Sequence, residues 1–185
     1  SAKLEDDFAD KIFILDCHSY LNSCLKGKAI CTASSTCVST DLFRDFGGFL
    51  EDLRFGEDPE LWSRLSSEHP IVFIDYDLAF YREDLGGLSF RYRNQLGSVE
   101  KYVNTLLKLH FMHGKTYRKL AFLIVVKNLI FSLVDGSDRE KIHEFRLKIS
   151  KKFPIHYQLG LLFVSWMPAF VFRCILMLRG FLRKS

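Results

Sequence analysis

A chain of 185 residues, 48% hydrophobic and 26% charged, is long enough for one domain with a real core. Its net charge of +4 conceals a division: residues 1–100 carry ten Lys/Arg against eighteen Asp/Glu, and residues 101–185 carry sixteen against four. No internal repeat or low-complexity segment is visible, and five cysteines without a Cys-x-x-Cys argue against a zinc or disulfide framework and for a reducing cytoplasm.

The first 30 residues read as one acidic helix over about residues 5–25, with no strand–loop–helix unit. Ile30-Cys31-Thr32-Ala33-Ser34-Ser35-Thr36-Cys37-Val38 is small, β-branched and uncharged, and predicts a buried strand at 29–38. A short helix follows at 41–46, then a Gly47-Gly48 loop. The next helix opens near Asp58 and runs to about Ser67; Pro59 suits the first helical position, which puts Asp58 at or near the N-cap. Strands are expected at 71–75 and 78–82. The polar run Arg91-Tyr92-Arg93-Asn94-Gln95 then connects to helices near 98–113, 116–134, 138–151 and 155–182. Asp135-Gly136-Ser137-Asp138 ends one helix and caps the next, and Pro168 is expected to break the last. The fold class is α/β: a partial layer over residues 1–95, whose three strands leave an unpaired edge, and a basic, mostly helical region over 96–185.

Residues 47–64 are the most informative stretch: Gly-Gly-Phe-Leu-Glu-Asp-Leu-Arg-Phe-Gly-Glu-Asp-Pro-Glu-Leu-Trp-Ser-Arg. Two adjacent carboxylates, Glu57 and Asp58, follow a flexible glycine and open a helix whose inner face carries Leu61, Trp62 and Leu65. A helix N-terminus favours a charged carboxylate, and such a group at a mobile loop–helix junction is what a general base needs. The same pair would also serve as a plain surface cap, and that reading stands beside the catalytic one.

The flanks extend the pattern. A small-residue run, a short helix ending in Gly47-Gly48-Phe49, Gly56-Glu57-Asp58-x-x-Leu61-Trp62-x-Arg64, an apolar strand and Tyr81-Arg82 occur in that order. Over roughly residues 10–95 this resembles the second half of the catalytic domain of family 2 glycosyltransferases. The resemblance implies a GT-A fold, a nucleotide-diphospho-sugar donor, a saccharide or glycolipid acceptor, a divalent metal (manganese or magnesium) and transfer with inversion. It implies Asp58 as the base for the acceptor hydroxyl, with Glu57 orienting the acceptor or Asp58 itself. Gly47 and Gly48 would let the backbone approach the sugars. Trp62 would floor the acceptor site, unless it belongs to the core. Arg82 would grip the diphosphate with its planar fork, or else pair with Glu83, Asp84 or a loop acid.

Two expected parts are missing. No nucleotide-binding strand–loop–helix and no Asp-x-Asp metal motif precede residue 30. Asp75-Tyr76-Asp77 follows the Glu-Asp pair and reads as a polar turn, so no residue is assigned as a metal ligand. The simplest expectation is the C-terminal part of a longer enzyme, incomplete for turnover as it stands. His110 and His113 lack a third ligand nearby and read as solvated or interfacial.

In the basic half, Leu120–Val134 is too short and interrupted for a membrane span. Leu159–Leu178 reaches the required twenty residues but holds Pro168 and Arg173, and Lys151, Lys152, Arg179, Arg183 and Lys184 flank it. Basic residues bracketing an aromatic, apolar helix favour an anionic membrane surface, with a buried bundle helix and a true span as alternatives. The aromatics lie inside apolar runs, away from the cations, which argues against nucleic acid. The expected function is therefore inverting sugar transfer in surface polysaccharide or glycolipid synthesis, cytoplasmic and peripheral on the inner face of the cell membrane. A non-catalytic membrane-surface adaptor and an inactive remnant are the alternatives.

Overall fold

A computed structural model of the chain describes residues 11–28, 30–76, 79 and 95–174 and shows a mixed, mostly helical fold with one small sheet. Strand β1 (Ile12–Leu15) occupies part of the expected 5–25 helix. Four consecutive large apolar residues have no helical stripe, and Asp16 starts a helix afresh by capping α1 (Cys17–Leu25). Its carboxylate accepts from the Ser19 N–H at 2.8 Å, and hydrogen bonds from Ser19 hold that carboxyl below its usual range. β1 pairs antiparallel with β2 (Ile71–Ile74), in a register running from Ile12–Ile74 to Leu15–Ile71. The expected strand at 78–82 falls largely outside the described residues, and Arg82 does so entirely.

No strand forms at 30–38, against expectation. The segment holds a 3-10 turn (Ala33–Ser35), where the Thr32 and Ser35 hydroxyls lie 2.8 Å apart and Thr36 Oγ1 donates to the Thr32 carbonyl at 2.7 Å. Hydroxyls that bond their own local backbone compete with a sheet ladder, and here they win. Helix α2 (Thr40–Asp45) follows with Ser39 as its cap. In α3 (Glu57–Glu68) the N-cap is Gly56, with φ 83°, not Asp58. Glu57 and Asp58 fill the first turn, and Pro59 takes the third helical position, where its missing N–H is still harmless.

Helices α4 (Leu96–His113), α5 (Lys115–Val134), α6 (Arg139–Ser150) and α7 (Ile155–Trp166) complete the described chain. α7 stops where Pro168 demands it: Met167 is extended, as a residue before proline prefers, and residues 169–174 are helical again. The chain divides into two compact units at Ala121–Phe122, within α5, and not near residue 95. α4 belongs to the first unit because it packs on α3 and buries Val99, Val103 and Leu106, a stripe at helical spacing.

Tyr20, Leu21, Leu61 and Leu65 also belong to the core of the first unit. A polar chain runs through it: Cys17 Sγ lies 3.0 Å from Tyr117 Oη, Tyr117 donates to the Ser63 carbonyl at 3.3 Å, and Ser63 Oγ lies 3.2 Å from Tyr102 Oη. On the sheet, Ile12, Ile14, Val72 and Ile74 share one face and are exposed, Ile14 by 75%. In the second unit Val125, Leu129, Ile149 and Leu161 are buried, beside a ring cluster of Phe122, Phe153 and Tyr157. No described helix is long and apolar enough to cross a membrane.

Burial raises the phenols of Tyr20, Tyr102 and Tyr117 above their ordinary value of 10.0 and the Cys24 thiol above 9.0, and it pushes the Cys31 thiol up to about 11. The folded chain keeps these protons while the unfolded chain gives its own up, so their stabilising contribution is lost as pH rises above about 9. The urea midpoint should hold level from about pH 7 to 9 and fall steadily beyond it. A midpoint unchanged at alkaline pH would contradict the burial of these groups.

Candidate active site

α2 ends in a turn suited to glycine. Gly47 and Gly48 have φ of 73° and 62°, and their N–H groups close on the carbonyls of Arg44 and Phe43 at 2.8 and 2.9 Å. A Cβ on Gly48 would meet the Phe43 ring at 3.0 Å. The turn turns two carbonyls toward α3, where Arg64 donates Nη1 to Phe46 O and Nη2 to Gly48 O, the latter at 2.6 Å.

Arg64 is held in turn by Glu60, one helical turn earlier and fully buried. Its Nε lies 2.9 and 3.1 Å from the two carboxylate oxygens, and Nη2 lies 2.8 Å from Oε2. Thr105 of α4 donates its hydroxyl to Glu60 Oε1 at 2.8 Å. One buried ion pair therefore joins α3, α4 and the glycine turn, with the carboxylate engaged on both oxygens.

Asp58 stands at the open end of the same helix. It is half-buried, and its Oδ2 accepts the Ala33 N–H at 3.0 Å from the 3-10 turn. Glu57, also half-buried, precedes it, and with Glu60 the three carboxylates share the first turn of α3, where the helix dipole favours negative charge. On the far side of the loop, Lys101 pairs with Asp52 at 2.9 Å and holds that carboxyl below its usual range, and the Arg54 N–H donates to Ser98 Oγ at 3.3 Å. These two contacts fasten the 50–54 segment to α4.

Trp62 belongs to the core, only 5% exposed, with Phe49 edge-on at 6.3 Å. The aromatic ring at the surface beside the glycine turn is Phe49, 40% exposed and braced by Phe43 at 5.4 Å. Among the described residues no group of three His, Cys, Asp or Glu is placed to hold a metal ion. Asp75 closes β2 by donating its N–H to Lys11 O at 2.9 Å, and Asp77 lies outside the described residues. His110 Nδ1 lies 3.0 Å from Gly114 O, and the His113 ring lies beside Tyr117.

The structure ties Gly48 to α3 through Arg64 and sets Glu57 and Asp58 in the first turn of that helix, with Asp58 bonded to Ala33, and it adds Glu60, Arg64, Thr105 and Phe49, which the sequence reading left without roles. A glutamate four residues before an arginine on a helix does signal an ion pair. Nothing in that spacing says the pair is buried or that Arg64 also holds a turn 16 residues upstream. Thr105 carries no signal at all. The chain matches no family model, no curated protein and no solved structure.

Arg64→Leu strands the Glu60 carboxylate in the core with Thr105 as its remaining partner, and the expected loss of stability is about 3–5 kcal/mol. Glu60→Leu with Arg64→Leu should cost less than the two singles summed. Urea denaturation of the four proteins, followed by far-ultraviolet circular dichroism, checks both; additive losses would show that the two charges do not support one another.

Proposed function

We propose that the chain holds the C-terminal part of the GT-A catalytic domain of an inverting glycosyltransferase, with Asp58 as its base, followed by a helical, membrane-associated region. The observation that supports this most is that Glu60 and Arg64 fasten the Gly47-Gly48 turn to the helix whose first turn carries Glu57 and Asp58. The Ala33 N–H engages Asp58 Oδ2 and leaves Oδ1 to take a proton.

In this reading the acceptor hydroxyl, from a saccharide or glycolipid, passes its proton to Asp58 as its oxygen attacks the anomeric carbon. The bond from that carbon to the nucleoside diphosphate breaks on the opposite face, the electron pair leaves with the phosphate oxygen, and the configuration inverts. Glu57 orients the acceptor, and the backbone at Gly47 and Gly48 admits close approach. Phe49, in place of the buried Trp62, offers a ring for the apolar face of a sugar. Arg82 would grip the diphosphate, and a manganese or magnesium ion would neutralise it on ligands outside the described residues.

The exposed apolar face of Ile12, Ile14, Val72 and Ile74 supports a sheet that takes part in a larger layer, as a GT-A domain requires. Five free cysteines suit the reducing cytoplasm, where the enzyme would lie on the inner face of the cell membrane. The second reading, a non-catalytic membrane-surface adaptor, is favoured by the apolar face that α7 exposes.

Asp58→Asn keeps an acceptor for the Ala33 N–H but takes no proton. In the full-length enzyme it should lower nucleoside diphosphate release from a panel of nucleotide sugars by about 10²–10⁴, with an unchanged circular dichroism spectrum. Undiminished transfer would remove Asp58 as the base. Failure of the unmutated enzyme on every donor would favour the adaptor.

A further inference from the structure

α7 carries no acidic residue and no Lys or Arg, yet much of it faces solvent. At about 100° per residue, Ile155, Leu159, Leu162, Phe163 and Trp166 fall on one stripe of the helix, and each of these five is exposed. Trp166 is 82% exposed, and Phe170 continues the apolar surface past the Pro168 break. The opposite stripe is spent on packing: Leu161 is fully buried, and Gly160 lets the Phe122 ring approach to 3.2 Å of where a Cβ would stand. A contiguous stripe of five large apolar side chains is more than scattered surface hydrophobics require.

The charges that flank α7 on either side along the chain are cationic. Lys151 and Lys152 are exposed immediately before α7, and Arg173, bonded to Val134 O at 2.8 Å, is exposed after it. At the Trp166 end a cavity of about 310 Å³ is lined by Arg139 and His143 together with Ser165 and Met167. The acids Asp135, Asp138, Glu140 and Glu144 lie on the turn before α6 and on α6 itself. An uncharged apolar helix face ending in an exposed indole and collared by cations matches the chemistry of a bilayer interface with anionic headgroups.

We propose that the α7 face formed by Ile155, Leu159, Leu162, Phe163 and Trp166 docks the second unit on an anionic membrane surface, lying in its plane. The apolar stripe enters the headgroup–acyl boundary, Trp166 sits at headgroup level, and Lys151, Lys152 and Arg173 meet lipid phosphates. This deepens the peripheral placement proposed above and is independent of Asp58, so membrane docking and sugar transfer stand or fall separately.

The chain reports on this itself, because it has two tryptophans, Trp62 in the core and Trp166 at the surface. The full chain is mixed with vesicles of phosphatidylcholine alone, or of phosphatidylcholine with phosphatidylglycerol, and followed by tryptophan emission and co-sedimentation. Anionic vesicles should shift the emission to the blue and sediment the protein. Leu159→Glu and Phe163→Glu, at exposed positions that leave the helical circular dichroism unchanged, should abolish both signals. Lys151→Glu with Lys152→Glu should weaken binding about tenfold or more, as should added salt. Binding that survives Phe163→Glu, or that is equal on neutral vesicles, would overturn the proposal. So would a blue-shifted emission in the absence of lipid together with a dimer in sedimentation, which would show that a second copy covers this face.

Discussion

The buried pair between Glu60 and Arg64 is the interaction on which the first unit depends. A carboxylate with no solvent exposure is tolerable only when its oxygens are fully engaged, and here Arg64 and Thr105 engage both. Once the guanidinium is committed to Glu60, its remaining N–H groups face the carbonyls of Phe46 and Gly48. The conformation of the glycine turn, the exit of α2 and the seat of α4 against α3 all follow from that one placement. A lysine could not replace Arg64, since a single ammonium cannot span a carboxylate and two separate carbonyls in one plane.

This anchoring separates rigidity from exposure along a single helix. The second turn of α3 is locked by Glu60, Arg64, Leu61 and Trp62, while Asp58, half a turn away, keeps an accessible carboxylate. Its one observed partner, the Ala33 N–H, comes from a turn whose Ser and Thr hydroxyls satisfy one another and leave that N–H directed outward. A carboxylate supported from behind by a rigid element is held in position without being buried.

The two units solve the problem of a core differently. The first threads hydroxyls and a thiol through its interior, from Cys17 through Tyr117 and Ser63 to Tyr102. The second buries Asn128, Ser132, Arg146 and Ser150 beside the rings of Phe122, Phe153 and Tyr157 and leaves the other stripe of α7 uncovered. Charge divides along the chain as well, with acids in excess over residues 1–100 and cations in excess over residues 101–185.

What the sequence determined by itself is what depends on neighbours along the chain. The glycine turn, the helices from α4 to α7, the stop before Pro168 and the acidic and basic halves all rest on propensities, caps and proline geometry, which act within a few residues. Tertiary structure decided what depends on distant partners. Residues 12–15 became a strand because Ile71–Ile74 lies beside them, whereas the equally β-branched run at 30–38 found no ladder and bonded to itself. Trp62 went into the core and left Phe49 at the surface. The N-cap moved to Gly56, where a left-handed φ turns the chain into α3. Glu60 and Arg64 stand four residues apart, a spacing that any helical pair shares. Only the packing of α4 and the glycine turn around them made the pair a buried tie, because desolvation is imposed by the surroundings and is not written in the spacing.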